Sequence, residues 1–219
     1  MSAANALERA RLYAILDLGY VAMAKAEAVA SELIRGGADL IQLRGKKESV
    51  EELTRLAQKL HRLTRGAGVP LIINDHPEIA RDIPLEGLHL GQDDLPIAAA
   101  REIVGRDCWI GKSTHSLAQA TAAVAEGPDY LGFGPLFATP TKPDYAPIGT
   151  DEIRRVHELV QLPIFCIGGI KLQNLPAVLA AGAKRVVIVS GLLQSDDVAA
   201  ATRAAKALLN QKSEITNQK

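Results

Sequence analysis

Residues 39–74 read DLIQLRGKKESVEELTRLAQKLHRLTRGAGVPLIIN. Two short apolar runs, DLIQLR and PLIIN, flank a longer segment of different rhythm. In that segment Val50, Leu53, Leu56, Leu60 and Leu63 recur every three or four residues, the stripe of an amphipathic helix. Ser49, with Glu52 three residues on, has the form of a capping box at its start. The flanking runs are apolar at consecutive positions, as expected of parallel strands covered on both faces. The stretch therefore reads strand, helix, strand.

The same alternation extends in both directions. Strands are predicted over 12–17 (LYAILD), 39–44, 70–74, 87–91 (GLHLG), 109–113 (WIGKS), 130–134 (YLGFG), 163–168 (PIFCIG) and 185–190 (RVVIVS). Helical patterns fall over 25–35, 49–65, 97–104, 117–126, 150–160, 172–181 and 196–209; residues 77–80 are too few to assign. Eight strands in 219 residues give about 27 residues per unit, the size of a compact (β/α)8 barrel. An open doubly wound sheet would place a glycine fingerprint after its first strand. Here the first strand runs into Asp17-Leu18-Gly19, and the glycine-rich turns come late, at Gly168-Gly169 and Gly191. The prediction is an α/β fold, a single TIM barrel over 1–219, with a polar tail at 210–219 that frays.

Lys plus Arg and Asp plus Glu each total 25. This balance argues against a general nucleic-acid binder, which needs surplus cations for phosphates, but leaves room for a local anion pocket. No apolar run approaches the roughly 18 residues of a membrane span, and the first residues have no signal-type core, so a cytoplasmic protein is expected. Cys108 and Cys166, far apart, read as buried thiols. Nothing in the composition decides for or against a homo-oligomer.

In a parallel barrel the chemistry sits at the C-terminal strand ends. Those ends carry Gln42, Arg44, Lys46, Asn74, Asp75, Asp94, Ser113 and His115, then Gly168-Gly169 and Ser190-Gly191. After the sixth strand comes PLFATPTKPDYAPI (135–148), with Thr139, Thr141 and Lys142; a loop this long is commonly functional. The cations and hydroxyls suit a diphosphate. Asp75 and Asp94 suit Mg2+, which takes one or two carboxylates plus phosphate oxygens and water; equally, each could be a helix N-cap. Arg44 and Lys46 could be a solvated strand end. The late glycines could form a phosphate site or ordinary tight turns. His115 reads as a general base or a cap. His89, between Leu88 and Leu90, reads as a satisfied inward-facing histidine. Lys142 suits a phosphate clamp better than a Schiff base, which needs a desolvated lysine on a rigid strand.

Taken in order, these residues resemble the thiamine phosphate synthases. The likeness rests on Gln42-Leu43-Arg44-x-Lys46, Asn74-Asp75, Gly87-x-His89-Leu90-Gly91-Gln92-x-Asp94 and Gly111-x-Ser113-x-His115. It continues through Asp129-Tyr130-x-Gly132-x-Gly134-Pro135, Thr139-x-Thr141-Lys142, Gly168-Gly169-Ile170 and the Ser190 turn. The resemblance implies an enzyme joining a pyrimidine methyl diphosphate to a thiazole phosphate by a dissociative substitution, with Mg2+ as cofactor. It implies that Gln42, Arg44, Lys46, Asn74, Ser113, Thr139, Thr141 and Lys142 bind the pyrimidine diphosphate, Arg44, Ser113 and Lys142 being catalytic. It implies Thr139, Thr141, Gly169, Val189 and Ser190 for the thiazole phosphate, and Asp75 and Asp94 for the metal. Gly45, Lys112 and Pro140 depart from the family pattern, and Lys112 is expected to add charge near the diphosphate. Two rivals are a thiazole tautomerase, using His115 as acid/base, and a non-catalytic barrel that binds a phosphorylated metabolite. The first would lose parts of the diphosphate and metal set, and the second would tolerate loss of the Asp pair and keep only Gly169 and Ser190; here Arg44, Lys46, Asp75, Asp94, Thr141 and Lys142 all remain.

Overall fold

The computed structural model describes residues 3–139 and 145–216. Eight parallel strands close into a barrel in chain order: β1 Leu12–Asp17, β2 Leu40–Arg44, β3 Leu71–Asn74, β4 Gly87–Leu90, β5 Trp109–Thr114, β6 Tyr130–Phe133, β7 Ile164–Cys166 and β8 Val186–Ile188. β8 returns to β1 through the Leu12–Val186 register and seals the ring. Helix α1 Ala3–Arg9 precedes β1. The crossovers hold α2 Ala26–Gly36, α3 Val50–Ala67, α4 Pro77–Asp82, α5 Ile97–Val104, α6 Leu117–Ala123, α7 Ile153–Leu159 and α8 Leu175–Ala180. After β8 come α9 Ser190–Leu193 and α10 Val198–Thr216. The fold is the expected (β/α)8 barrel.

Helix α3 forms as its sequence dictates. Ser49 Oγ accepts from Glu52 N at 3.3 Å while Glu52 Oε2 accepts from Ser49 N at 2.9 Å, and Gly68, at φ 70°, ends the helix in the left-handed conformation. Leu53, Leu56 and Leu60 are buried, each worth about 2 kcal/mol of apolar transfer.

Four details differ from the sequence expectation. β7 and β8 are only three residues each, because Gly168 and Gly169 turn to positive φ and Ser190 already begins a helix. Residues 77–82 do form a helix, started by a proline in its first turn. The N-terminal α1 gives little sequence signal; Leu7 carries it, buried at the barrel's lower end with Ala10, Tyr13 and Trp109. Finally, α10 continues to Thr216, beyond the helix end expected at 209, since no glycine or proline between 198 and 216 stops it.

Strand alternation divides the core. Leu16, Ile41, Leu43, Ile73, Leu88, Ile110 and Leu131 face the helices. Tyr13, Ile15, Leu40, Ile72, Trp109, Tyr130, Phe165 and Val187 fill the interior. Tyr13 and Tyr130 stand edge-on to Phe165, with ring centroids 5.4 and 5.7 Å away. Gly111 makes room for this plug: a Cβ there would lie 2.1 Å from Tyr130 Cζ.

At the N-terminal face one device recurs. Asp39, Glu86 and Asp129 each stand just before an even-numbered strand and bond the backbone N–H at the start of the strand before it. Asp39 Oδ2 takes Leu12 N at 2.9 Å, Glu86 Oε2 takes Leu71 N at 2.8 Å, and Asp129 Oδ2 takes Ile110 N at 2.7 Å.

Candidate active site at the mouth of the barrel

Above the aromatic plug, the inward strand positions become polar. Gln42, Arg44, Asn74, His89, Ser113, Thr114, His115 and Thr139 line one cavity with Ile15, Gly132, Gly134, Pro135, Ile167, Gly168 and Val189. It encloses about 620 Å3 when the space of its open mouth is included. Of the residues singled out from sequence, Gln42, Arg44, Asn74, His89, Ser113, His115, Thr139, Gly168 and Val189 meet here, whereas Lys46, Asp75 and Asp94 are not part of this lining. Thr141, Lys142 and Pro140 lie outside the described residues.

Arg44 is held by Asp17, one strand over in the β1–β2 register. Its Nη1 lies 2.5 Å from Asp17 Oδ2, while Asp17 Oδ1 accepts from Gly19 N at 2.8 Å. The carboxylate is almost wholly buried and Arg44 is only 15% exposed, so the guanidinium is fixed rather than solvated. Asp17 is a residue that reading for motifs missed. A lone acid ending an otherwise apolar strand, opposite Arg44, was its signal. Arg44 and Lys46 also border a second, more open depression with Lys47 and Glu48.

Asp75 and Asp94 stand at neighbouring strand ends. Asp75 continues the β3–β4 ladder through its N–H to His89 O at 2.9 Å; among the described residues it alone is a non-glycine at positive φ, 67°. Asp94 accepts from Gly91 N at 2.6 Å. The side chains are in hydrogen-bonding contact, and Asp75 is ion-paired with Lys46. Burial, then contact with Asp94, raises the Asp75 pKa, and the Lys46 ammonium pulls the other way. Burial prevails because Lys46 is itself half exposed and therefore screened. The N-cap alternative does not hold: His76 and Pro96 occupy the capping positions of α4 and α5, with no side-chain cap bond. Two acids forced together and incompletely neutralised fit a divalent cation. Among the described residues no group of three or more His, Cys, Asp or Glu is placed to hold a metal. A pair of carboxylates is in kind a donor set that Mg2+ accepts when phosphate and water supply the remaining ligands.

On the opposite side, Gly168 and Gly169 adopt φ 100° and 64°. Their lack of a Cβ also admits the post-β6 loop: a Cβ at Gly168 would sit 2.4 Å from Pro135, and one at Gly169 2.7 Å from Phe137 Cβ. That loop leaves β6 through a cis Gly134–Pro135 bond. It is fastened at both described ends, Leu136 N to Ile167 O at 2.8 Å and Ile148 N to Pro135 O at 2.8 Å. Gly168 and Val189 line the cavity; Ser190 borders an adjoining depression with Lys171, Gln173 and Gln194, and Gly169 lines neither.

His115 Nδ1 lies 2.6 Å from the Gly134 carbonyl, so it donates, and the ring stacks on Tyr145 at 4.1 Å. Ser116, not His115, caps α6. The expectation that Lys112 adds charge near the diphosphate fails. Strand alternation turns it to the helical layer, where its Nζ is 3.9 Å from Glu126, while its neighbour Ser113 faces the cavity. At Gly45 a Cβ would press on Glu48 and on Leu53 Cδ2, at 2.6 and 2.7 Å, which gives that glycine a local reason.

The sequence model of the thiamine monophosphate synthase family matches residues 12–192. The thiamine-phosphate synthase of Chloroflexus aurantiacus is 44% identical over 201 residues, covering 91% of this chain and 93% of its own. That of Halalkalibacterium halodurans is 42% identical over 203 residues, covering 92% and 96%. Among solved structures, thiamine phosphate pyrophosphorylase from Pyrococcus furiosus superposes with a TM-score of 0.85 at 31% identity, covering 95% of this chain and 98% of that one. A 3-hexulose-6-phosphate synthase, at 15% identity and TM-score 0.68, shares the barrel alone.

Proposed function

The chain belongs to the thiamine monophosphate synthase family and is a transferase of thiamine biosynthesis; we propose that its cavity joins hydroxymethylpyrimidine diphosphate to thiazole phosphate by a dissociative substitution that depends on Mg2+. The observation that supports this reading is a linked set at the strand ends: Arg44, which lines the cavity, shares an open depression with Lys46, Lys46 is ion-paired with Asp75, and Asp75 is in contact with Asp94. A barrel that only isomerises a thiazole phosphate, or only binds a phosphorylated metabolite, has no use for that pair.

In the proposed step the bond from the pyrimidine methylene to the diphosphate oxygen breaks, and its electron pair leaves with the diphosphate. The thiazole nitrogen then supplies its lone pair to the methylene, giving thiamine phosphate. The chain's task is to receive the growing negative charge and to place the two substrates. Arg44, pre-oriented by Asp17, directs its N–H fork at the leaving oxygens; Lys46 adds a second cation and Ser113 a hydroxyl. Lys142 and Thr141 are assigned to the same anion by their motif. Gln42 and Asn74 hold the pyrimidine. Thr139, Thr141, Gly169, Val189 and Ser190 receive the thiazole phosphate. Mg2+ held by Asp75 and Asp94 would neutralise part of the diphosphate charge. No strong protein nucleophile is required, and the post-β6 loop serves to exclude water.

Asp75→Asn tests the metal assignment. Thiamine phosphate formation by the unaltered protein should stop on adding EDTA and resume with excess Mg2+. The variant, still folded, should lose at least about a hundredfold of kcat. Turnover indifferent to EDTA, or unchanged in the variant, refutes the assignment.

A further inference from the structure

Beneath the cavity a single file of polar groups crosses the barrel. Gln42 Nε2 donates to Tyr13 Oη at 2.5 Å, and the Tyr13 and Tyr130 hydroxyls are 3.2 Å apart. Tyr130 Oη is 3.2 Å from His89 Nδ1, and His89 Nε2 is 3.0 Å from Ser113 Oγ. Gln42, His89 and Ser113 line the cavity; the two phenols are entirely buried beneath it.

Such a file has few ways to arrange its protons. Burial raises both phenol pKa values, so each hydroxyl keeps one proton to give. Tyr13 already receives the Gln42 N–H, so its own proton goes to Tyr130. The Tyr130 proton then goes to His89 Nδ1, which must be unprotonated. The imidazole proton accordingly sits on Nε2 and is donated to Ser113 Oγ, leaving the serine O–H to donate elsewhere. The opposite order satisfies every member only if the Gln42 amide turns over. The groups at the two ends are therefore coupled: a carbonyl kept for the ligand at Gln42 goes with a hydroxyl donor at Ser113. At the two buried phenols a broken order leaves an O–H unsatisfied, which is costly.

We propose that His89 is a positioning residue, fixed as its Nε2–H tautomer from Gln42 through Tyr13 and Tyr130, and that it thereby sets Ser113 as a hydrogen-bond donor toward the pyrimidine diphosphate. The identity of that ligand rests on the proposed function; the relay itself does not. An acceptor on one wall and a donor on the other complement an amino-substituted ring that carries an anionic leaving group. Gly111 belongs to the same device, since only a residue without a Cβ lets the Tyr130 ring into the file.

The test is 15N NMR of the ligand-free protein with labelled histidine, at a pH where the imidazoles are neutral. His89 is assigned by the signals lost in His89→Gln. Tyr130→Phe removes the hydroxyl that holds His89 Nδ1 while keeping the ring that packs on Tyr13 and Phe165. The unaltered protein should show His89 protonated at Nε2. Tyr130→Phe should show a mixture of tautomers and about tenfold lower kcat/KM for the pyrimidine diphosphate, with thiazole phosphate affinity within about twofold. His89 protonated at Nδ1 in the unaltered protein overturns the proposal. So does a Tyr130→Phe protein that keeps the original tautomer or the original kcat/KM. Because the tautomer is read without substrate, a protein that shows it yet makes no thiamine phosphate refutes the assigned reaction and leaves the relay standing.

Discussion

Asp17 places a buried negative charge beside the mouth proposed to take a diphosphate, and its partner Arg44 explains why. Alone, Arg44 would be a poorly solvated cation in the ligand-free protein; Asp17 neutralises and orients it. Asp17→Asn should therefore lower the ligand-free melting temperature, by the equivalent of about 1–3 kcal/mol. Inorganic diphosphate should raise the melting temperature of the variant more than that of the unaltered protein, because it supplies the missing counter-charge. Equal rises in the two proteins contradict the pairing. Asp75 shows the converse, a charge whose burial works against stability. Its pKa is raised in the folded state, so the folded protein binds that proton more tightly than the unfolded chain does. Without metal, stability falls as pH rises from the ordinary carboxylate range through the raised value, and the deficit persists above it. Asp75→Asn removes the repulsion with Asp94 and suits the left-handed backbone at least as well. In EDTA at neutral pH it should melt higher than the unaltered protein, the two curves converging in acid. A lower melting temperature would mean that the exposed Lys46 pair matters more than burial. At this scale the sequence was uneven. The polar strand ends were legible as a set. The inward or outward sense of Lys112 was not, since it depends on which of two alternating faces the closed barrel turns inward.

Elements were more legible than residues. The α3 stripe, its capping box and the run of apolar strands follow from periodicity. What escaped were elements defined by tertiary contact. α1 has one buried leucine to show for itself, β7 ends early because glycines that make room for the post-β6 loop bend the chain, and β8 ends early because a helix begins at Ser190. The acids of the lower face also read differently once folded. Asp129 belongs to a motif shared with the synthases, but it sits at the end of the barrel remote from the mouth. There it holds Ile110 N and Arg101. Asp129→Ala should cost about 1–3 kcal/mol of unfolding free energy by leaving a strand-end N–H and an arginine without their acceptor. Its kcat should stay within about twofold below the melting transition. A large loss of kcat in folded protein would show that the lower face takes part in turnover.

At the scale of the whole molecule, the closed barrel converts eight separate strand ends into one mouth. That convergence follows from counting strand–helix units, so the neighbourhood of Gln42, Arg44, Asn74 and Ser113 could be anticipated. The hydrogen-bonded file below them could not, because Tyr13, His89 and Tyr130 are scattered in sequence and meet only when β1 finds its place across the barrel. The central claim is that this mouth joins a pyrimidine methyl diphosphate to a thiazole phosphate. The direct measurement incubates the purified chain with both substrates and Mg2+, and detects thiamine phosphate as fluorescent thiochrome after oxidation. Thiamine phosphate and diphosphate should appear in equal amounts, and only when both substrates are present. Folded protein that binds thiazole phosphate yet forms no thiamine phosphate contradicts the claim.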